Sequence, residues 1–76
     1  MSLREIFARN IRHWRAHRGL SQEQLALRAG VSRGYMSDLE RAEYSASLDV
    51  VEKIAKVLGV TAASLLEAPT RGRNRT

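Results

Sequence analysis

Three short marks limit what this chain can fold into. Gly19-Leu20-Ser21, Gly30-Val31-Ser32 and Gly59-Val60-Thr61 each place a glycine, an apolar residue and a hydroxyl in a row. Glycine just past a helix takes the left-handed conformation that ends it. Ser or Thr at the next N-cap accepts from the backbone N–H groups that open the following helix. Each apolar member has a partner five residues on, Leu20 with Leu25, Val31 with Met36 and Val60 with Leu65, the spacing of a hydrophobic staple. Gln24 adds a capping box to Ser21. Helix stops followed at once by helix starts predict an all-α chain.

Between the marks apolar residues recur at helical spacing. Phe7, Ile11 and Trp14 make a stripe on the first segment, and Leu25, Ala26 and Ala29 on the second. Met36 and Leu39 mark the third, and Leu48, Val51, Ile54, Ala55 and Leu58 the fourth, with Ser47 as its cap. Leu65 and Leu66 close a short fifth segment. The pattern predicts helices near residues 4–18, 22–29, 33–41, 48–58 and 62–67. Nothing alternates with period two for long enough to argue a strand. After Pro69 there is no apolar residue, so residues 1–67 read as the folded domain and residues 68–76 as a disordered basic tail.

At 76 residues the chain holds one small domain. A chain of this size buries only about 60% of its unfolded surface, so it is marginal alone. It has no cysteine, which excludes a disulfide framework and thiolate metal sites. Close helix packing or a second subunit must supply the difference. No apolar run approaches the roughly 18 residues of a membrane span, and Met1-Ser2-Leu3-Arg4-Glu5 lacks the apolar stretch of a secretory signal. The expectation is a soluble, cytoplasmic domain with no membrane partner. The formal net charge is +5 and sits at the chain ends: Arg4, Arg9, Arg12, Arg15 and Arg18 against Glu5 at the start, and Arg71, Arg73 and Arg75 in the tail. Such a balance suits a polyanionic partner.

The second and third helices are joined only by Gly30-Val31-Ser32, a three-residue glycine turn of helix-turn-helix type. Gln22-Glu23-Gln24-Leu25-Ala26, Ala29-Gly30-Val31-Ser32, Tyr35-Met36-Ser37-Asp38-Leu39-Glu40-Arg41 and Ile54-Ala55-Lys56-Val57-Leu58-Gly59-Val60 resemble the lambda-repressor/Cro-like (XRE) helix-turn-helix family over residues 3–67. Within it, Ser32-Arg33-Gly34-Tyr35-Met36-Ser37 is most similar to the small controller proteins of restriction–modification systems, which are dimeric transcription factors. The resemblance implies a compact five-helix bundle. It also implies a sequence-specific regulator that binds operator DNA as a homodimer, with the third helix in the major groove and Ser32 in the contacting set. Members commonly hold a phosphate at the position of Gln22; the alternative there is a solvated residue in the first helical turn. They often pair the positions of Arg15 and Glu40, joining the first helix to the third. The family's glycine after the third helix and proline before the fourth are replaced by Ala42 and Ala46, so loop 42–47 is expected to follow a different path.

The residues support this independently. With Met36 and Leu39 inward, Gly34, Ser37, Asp38 and Arg41 project outward, and Arg33 stands on the exposed first turn. A helix face of this kind fits a major groove about 12 Å wide. There Arg33 offers guanine a two-pronged donor, and Gly34 lets the backbone approach. Ser37 donates or accepts. Asp38 either accepts from cytosine N4 or orients Arg41. Tyr35 is either a half-buried ring or a phosphate donor. His13 and His17 share a face but lack a third ligand, so no metal is expected. Trp14 reads as core. No catalytic motif is present, so no enzyme activity and no cofactor are expected. The chain has no room for a small-molecule effector domain. Val50 and Val57, with Ala62, Ala63 and Leu66, suggest either a dimer patch or further inward packing. The contrasting functional class is a protein-interaction adaptor or antitoxin-like module, whose main contact is another protein.

Overall fold

Every helix opens on a hydroxyl. In this computed structural model, which describes residues 1–68, the elements are α1 Leu3–His17, α2 Gln22–Ala29, α3 Arg33–Glu40, α4 Leu48–Leu58 and α5 Ala62–Leu65. Ser2, Ser21, Ser32, Ser47 and Thr61 accept in turn from the N–H groups of Glu5, Gln24, Tyr35, Val50 and Ser64. The elements expected from the sequence are all present, and α5 is shorter, ending at Leu65. No strand occurs among the described residues. The tail expected over residues 68–76 lies, from 69 onward, outside the described residues.

The three glycine marks close α1, α2 and α4 with φ of +69°, +74° and +72° at Gly19, Gly30 and Gly59. At Gly30 the pattern is the paired bond of a Schellman motif: Val31 N–H donates to Ala26 O at 3.0 Å, and Gly30 N–H to Leu27 O at 3.2 Å. The end of α3 repeats it. Glu43 N–H donates to Asp38 O at 2.9 Å and Ala42 N–H to Leu39 O at 3.1 Å, with Ala42 at φ +61°. Loop 42–47 therefore leaves α3 along the path a glycine would take. The expected departure does not occur at its first residue, because two backbone bonds outweigh the roughly 1–2 kcal/mol that a Cβ costs in this conformation.

One core joins the helices: Phe7 and Ile11 from α1, Leu25, Ala26 and Ala29 from α2, Met36 and Leu39 from α3, Val51, Ile54, Ala55 and Leu58 from α4, and Leu65 from α5. α2 packs on both α3 and α4, while α1 packs on α3 and α5. Leu48 departs from its expected core role and is 77% exposed. It shares the direction of the α4 stripe but stands at the first residue of the helix, at the mouth of a shallow groove with Leu3, Phe7, Val51 and Leu66. Trp14 packs half-buried on the core, with the Arg18 guanidinium 5.0 Å above its ring.

α1 also closes the carboxyl ends of three other helices. Arg12 Nη1 donates to Glu40 O at the end of α3, and Arg18 Nε to Leu58 O of α4 at 2.8 Å. Buried Asn10 donates through Nδ2 to Leu65 O at 2.7 Å and Glu67 O at 2.9 Å, beyond α5. Cations are favoured at helix C-termini, each by about 0.3–1 kcal/mol. Much of the basic excess of α1 therefore serves the fold itself, which changes the reading of the N-terminal charge as a mark of an external polyanion.

Candidate nucleic-acid interface

Left-handed Gly30 turns the chain so that α3 lies across α2 with Met36 and Leu39 fully buried. The opposite face of α3 is then open. Arg33, Gly34 and Arg41 are exposed, and Ser37 and Asp38 half-buried. A Cβ built on Gly34 would meet nothing within 4 Å, so the backbone there is free to be approached closely. The structure brings Arg33, Gly34, Ser37, Asp38 and Arg41 to one surface, as the helical spacing predicts.

Arg41 is held by its own helix. Its Nη2 donates to Asp38 Oδ1 at 2.6 Å and its Nη1 to Ser37 Oγ at 3.0 Å; Glu43 Oε1 lies 3.9 Å away. Of the two roles open to Asp38, orienting Arg41 is the one formed in the free chain. The Ser32 hydroxyl accepts from the Tyr35 N–H at 3.0 Å and so caps α3, and its own O–H is left to donate outward. Tyr35 is half-buried against the core, its ring 6.4 Å from that of Tyr44. Tyr44, 56% exposed, extends the surface beside α3. Sequence reasoning missed it, since it lies in a loop with no periodicity to mark it.

Behind this surface the expected Arg15–Glu40 pair is formed. Arg15 Nε donates to Glu40 Oε2 at 2.7 Å and Nη2 to Oε1 at 3.0 Å, with Glu40 only 3% exposed. Arg15 Nη1 also donates to Leu20 O at 3.0 Å, tying the end of α1 to the same point. Gln22 joins them, its Nε2 donating to Glu40 Oε1 at 3.1 Å. Its amide nitrogen is thus engaged inward, a link between α2 and α3 that the sequence reading did not contain. Gln22, Arg15 and Arg33 line one open cleft with Ser21 and Glu23, beside the N-terminus of α2. Free N–H groups and the helix dipole favour an anion in such a place.

Elsewhere, the rings of His13 and His17 stack 6.2 Å apart, and no group of three or more candidate metal ligands occurs among the described residues. The carboxyl of Glu5 is held below its ordinary pKa by the Ser2 N–H, which donates to it at 2.8 Å. No helix among the described residues is long and apolar enough to cross a membrane.

Fold and surface together define a helix-turn-helix module. The chain belongs to the HTH_3 helix-turn-helix family, whose model matches residues 11–65. It is 43% identical to a hypothetical transcription factor of Neisseria meningitidis, over 88% of this chain and 63% of that protein, so it spans less than two thirds of that relative. It is 40% identical to control protein C.BamHI of Bacillus amyloliquefaciens, over 93% of this chain and 89% of that protein. The solved structure of a hypothetical transcription factor from Neisseria superposes with a TM-score of 0.88 at 42% identity, covering 91% of this chain and 79% of that one. SinR, a master regulator for biofilm formation solved in complex with DNA, superposes with a TM-score of 0.76 at 34% identity, covering 80% and 98%.

Proposed function

We propose that this chain is a sequence-specific transcriptional regulator that binds duplex operator DNA as a homodimer, α3 entering the major groove. The observation that carries this reading is the exposed polar face of α3, held at a fixed angle by the buried Arg15–Glu40–Gln22 junction. Arg33, Gly34, Ser37, Asp38 and Arg41 face the base edges, while Gln22, Ser32 and Tyr35 lie toward the sugar–phosphate backbone. One helix-turn-helix covers a half-site, and specificity then needs two subunits about 34 Å apart on one face of the duplex. The likeness to a control protein and to a regulator solved with DNA supports the same function.

For the dimer, Val50, Val57, Ala62 and Leu66 are half-buried against the core, and Leu48 and Ala63 are exposed nearby. Covering such a face suits a chain whose own core is small. The regulator acts in the cytoplasm, needs no cofactor or small-molecule effector, and has no catalytic activity. Selection from random duplex DNA, followed by binding at several salt concentrations, tests the reading. Binding whose log K falls linearly with log salt supports it. Salt-independent capture of a protein, with no duplex selected, would establish the adaptor class instead. Light scattering that shows only 8.5 kDa particles at tens of micromolar would remove the homodimer.

A further inference from the structure

Arg33 and Arg41 stand at the two ends of α3 in different states. Arg33 forms no ion pair among the described residues, whereas Arg41 has Asp38 at 2.6 Å and Glu43 at 3.9 Å. Asp38 is also the less exposed member of its pair, at 29% against 57% for Arg41. Two carboxylates on a surface that meets phosphate are repelled by it. They are therefore a cost to any binding that depends on charge alone.

We infer that Asp38, seconded by Glu43, is a specificity-determining residue that withholds Arg41 from phosphate and delivers it only to a matching base pair. The inference rests on the DNA-binding reading above. Non-specific binding is driven by release of counterions from phosphate. A guanidinium already neutralised by a carboxylate at 2.6 Å releases few. A G·C pair differs from phosphate in offering both signs at its major-groove edge: guanine O6 and N7 accept from arginine, and cytosine N4 donates to aspartate. Asp38 and Arg41 can then stay paired to one another and be satisfied together. On the wrong sequence Asp38 is left facing an acceptor, and the complex is weakened. The same residue that lowers affinity for DNA in general thus raises the preference for one site.

The test uses the full chain, the operator selected above, and an unrelated duplex of equal length. Wild type, Asp38→Asn and Glu43→Gln are titrated on both at several salt concentrations, and melting of each variant verifies the fold. Asp38→Asn is expected to bind the unrelated duplex roughly 3–10-fold more tightly, with a salt slope steeper by about one per protomer as Arg41 reaches a phosphate. It gains nothing on the operator, so the specificity ratio falls by the same roughly 3–10-fold and preference relaxes at one G·C pair per half-site. Glu43→Gln moves the same way by less. If both duplexes change by the same factor, or neither changes, Asp38 is only a uniform surface charge and the inference is overturned. If wild type itself shows no preference and no salt slope, the DNA-binding reading fails and this inference with it.

Discussion

Among the described residues, two arginine–carboxylate pairs have nearly the same contact distance and opposite consequences. Arg15 meets Glu40 at 2.7 Å and Arg41 meets Asp38 at 2.6 Å. The first pair lies between α1 and α3, with Glu40 3% and Arg15 22% exposed, and takes further donors from Gln22 and, at the Glu40 backbone carbonyl, from Arg12. The second stands on the outer face of α3, with Arg41 57% and Asp38 29% exposed. Exposed pairs contribute about 0–1 kcal/mol, while removing one member of a buried pair strands a charge and costs about 3–5 kcal/mol. Distance therefore does not rank them; burial does. The inner pair fixes where the helix lies, and the outer one governs what its face meets.

The largest effect should come from breaking the inner pair. Glu40→Ala leaves Arg15 and Gln22 without their shared acceptor, and should lower unfolding free energy by about 3 kcal/mol. DNA affinity should fall with it as α3 loses its angle. An unchanged melting temperature would show that the junction is solvated and that the two pairs do not differ. Next in size, Arg33→Ala should leave melting unaltered and cost roughly 1–3 kcal/mol on the operator, with relaxed preference at one base pair per half-site. A uniform loss on all sequences would make Arg33 a phosphate clamp rather than a reader.

Ala42→Gly supplies a scale between the two pairs. It removes the Cβ from a residue at φ +61°, and should stabilise by about 0.5–1 kcal/mol after the greater freedom of glycine in the unfolded chain is subtracted. Chemical denaturation measures it, and a destabilised variant would show that the Ala42 methyl makes a contact worth more than the strain. Breaking the outer pair with Asp38→Ala should then change stability by less than about 0.5 kcal/mol; a cost near that of Glu40→Ala would erase the distinction. The smallest effect concerns Glu5. Its pKa is lowered by the Ser2 N–H, so it contributes stability that is present above its unfolded pKa and lost as pH falls through the folded value. Glu5→Gln should flatten that part of the acid limb and leave stability above it without further pH dependence. An acid limb identical to wild type would deny Glu5 any part.

What was legible in the sequence was local. The hydroxyl caps, the glycine stops and the inward Met36 and Leu39 each follow from residues within one or two turns of one another. The Arg15–Glu40 pair came from family resemblance, since 25 residues separate its members and no spacing rule reaches that far. Bonds from Asn10, Arg12 and Arg18 to distant carbonyls were out of reach for the same reason: a carbonyl has no residue type to flag it. Leu48 was misplaced because periodicity gives a direction around the helix and not how far along it the core extends. Ala42 shows the converse, as backbone bonding imposed a conformation that its side chain disfavours.

The closure of helix ends by α1 has a consequence for synthesis. Its three contacts join residues 28, 40 and 55 positions apart, through Arg12, Arg18 and Asn10. A chain emerging from the ribosome N-terminus first exposes the α1 segment before the other four, yet the last acceptors of α1 arrive only with Leu65 and Glu67. Until then Asn10 donates only to water, and the partial chain lacks the contribution of Leu65 to the core. The fold is thus completed only once its last helix has left the ribosome, and the earliest segment waits longest for its partners.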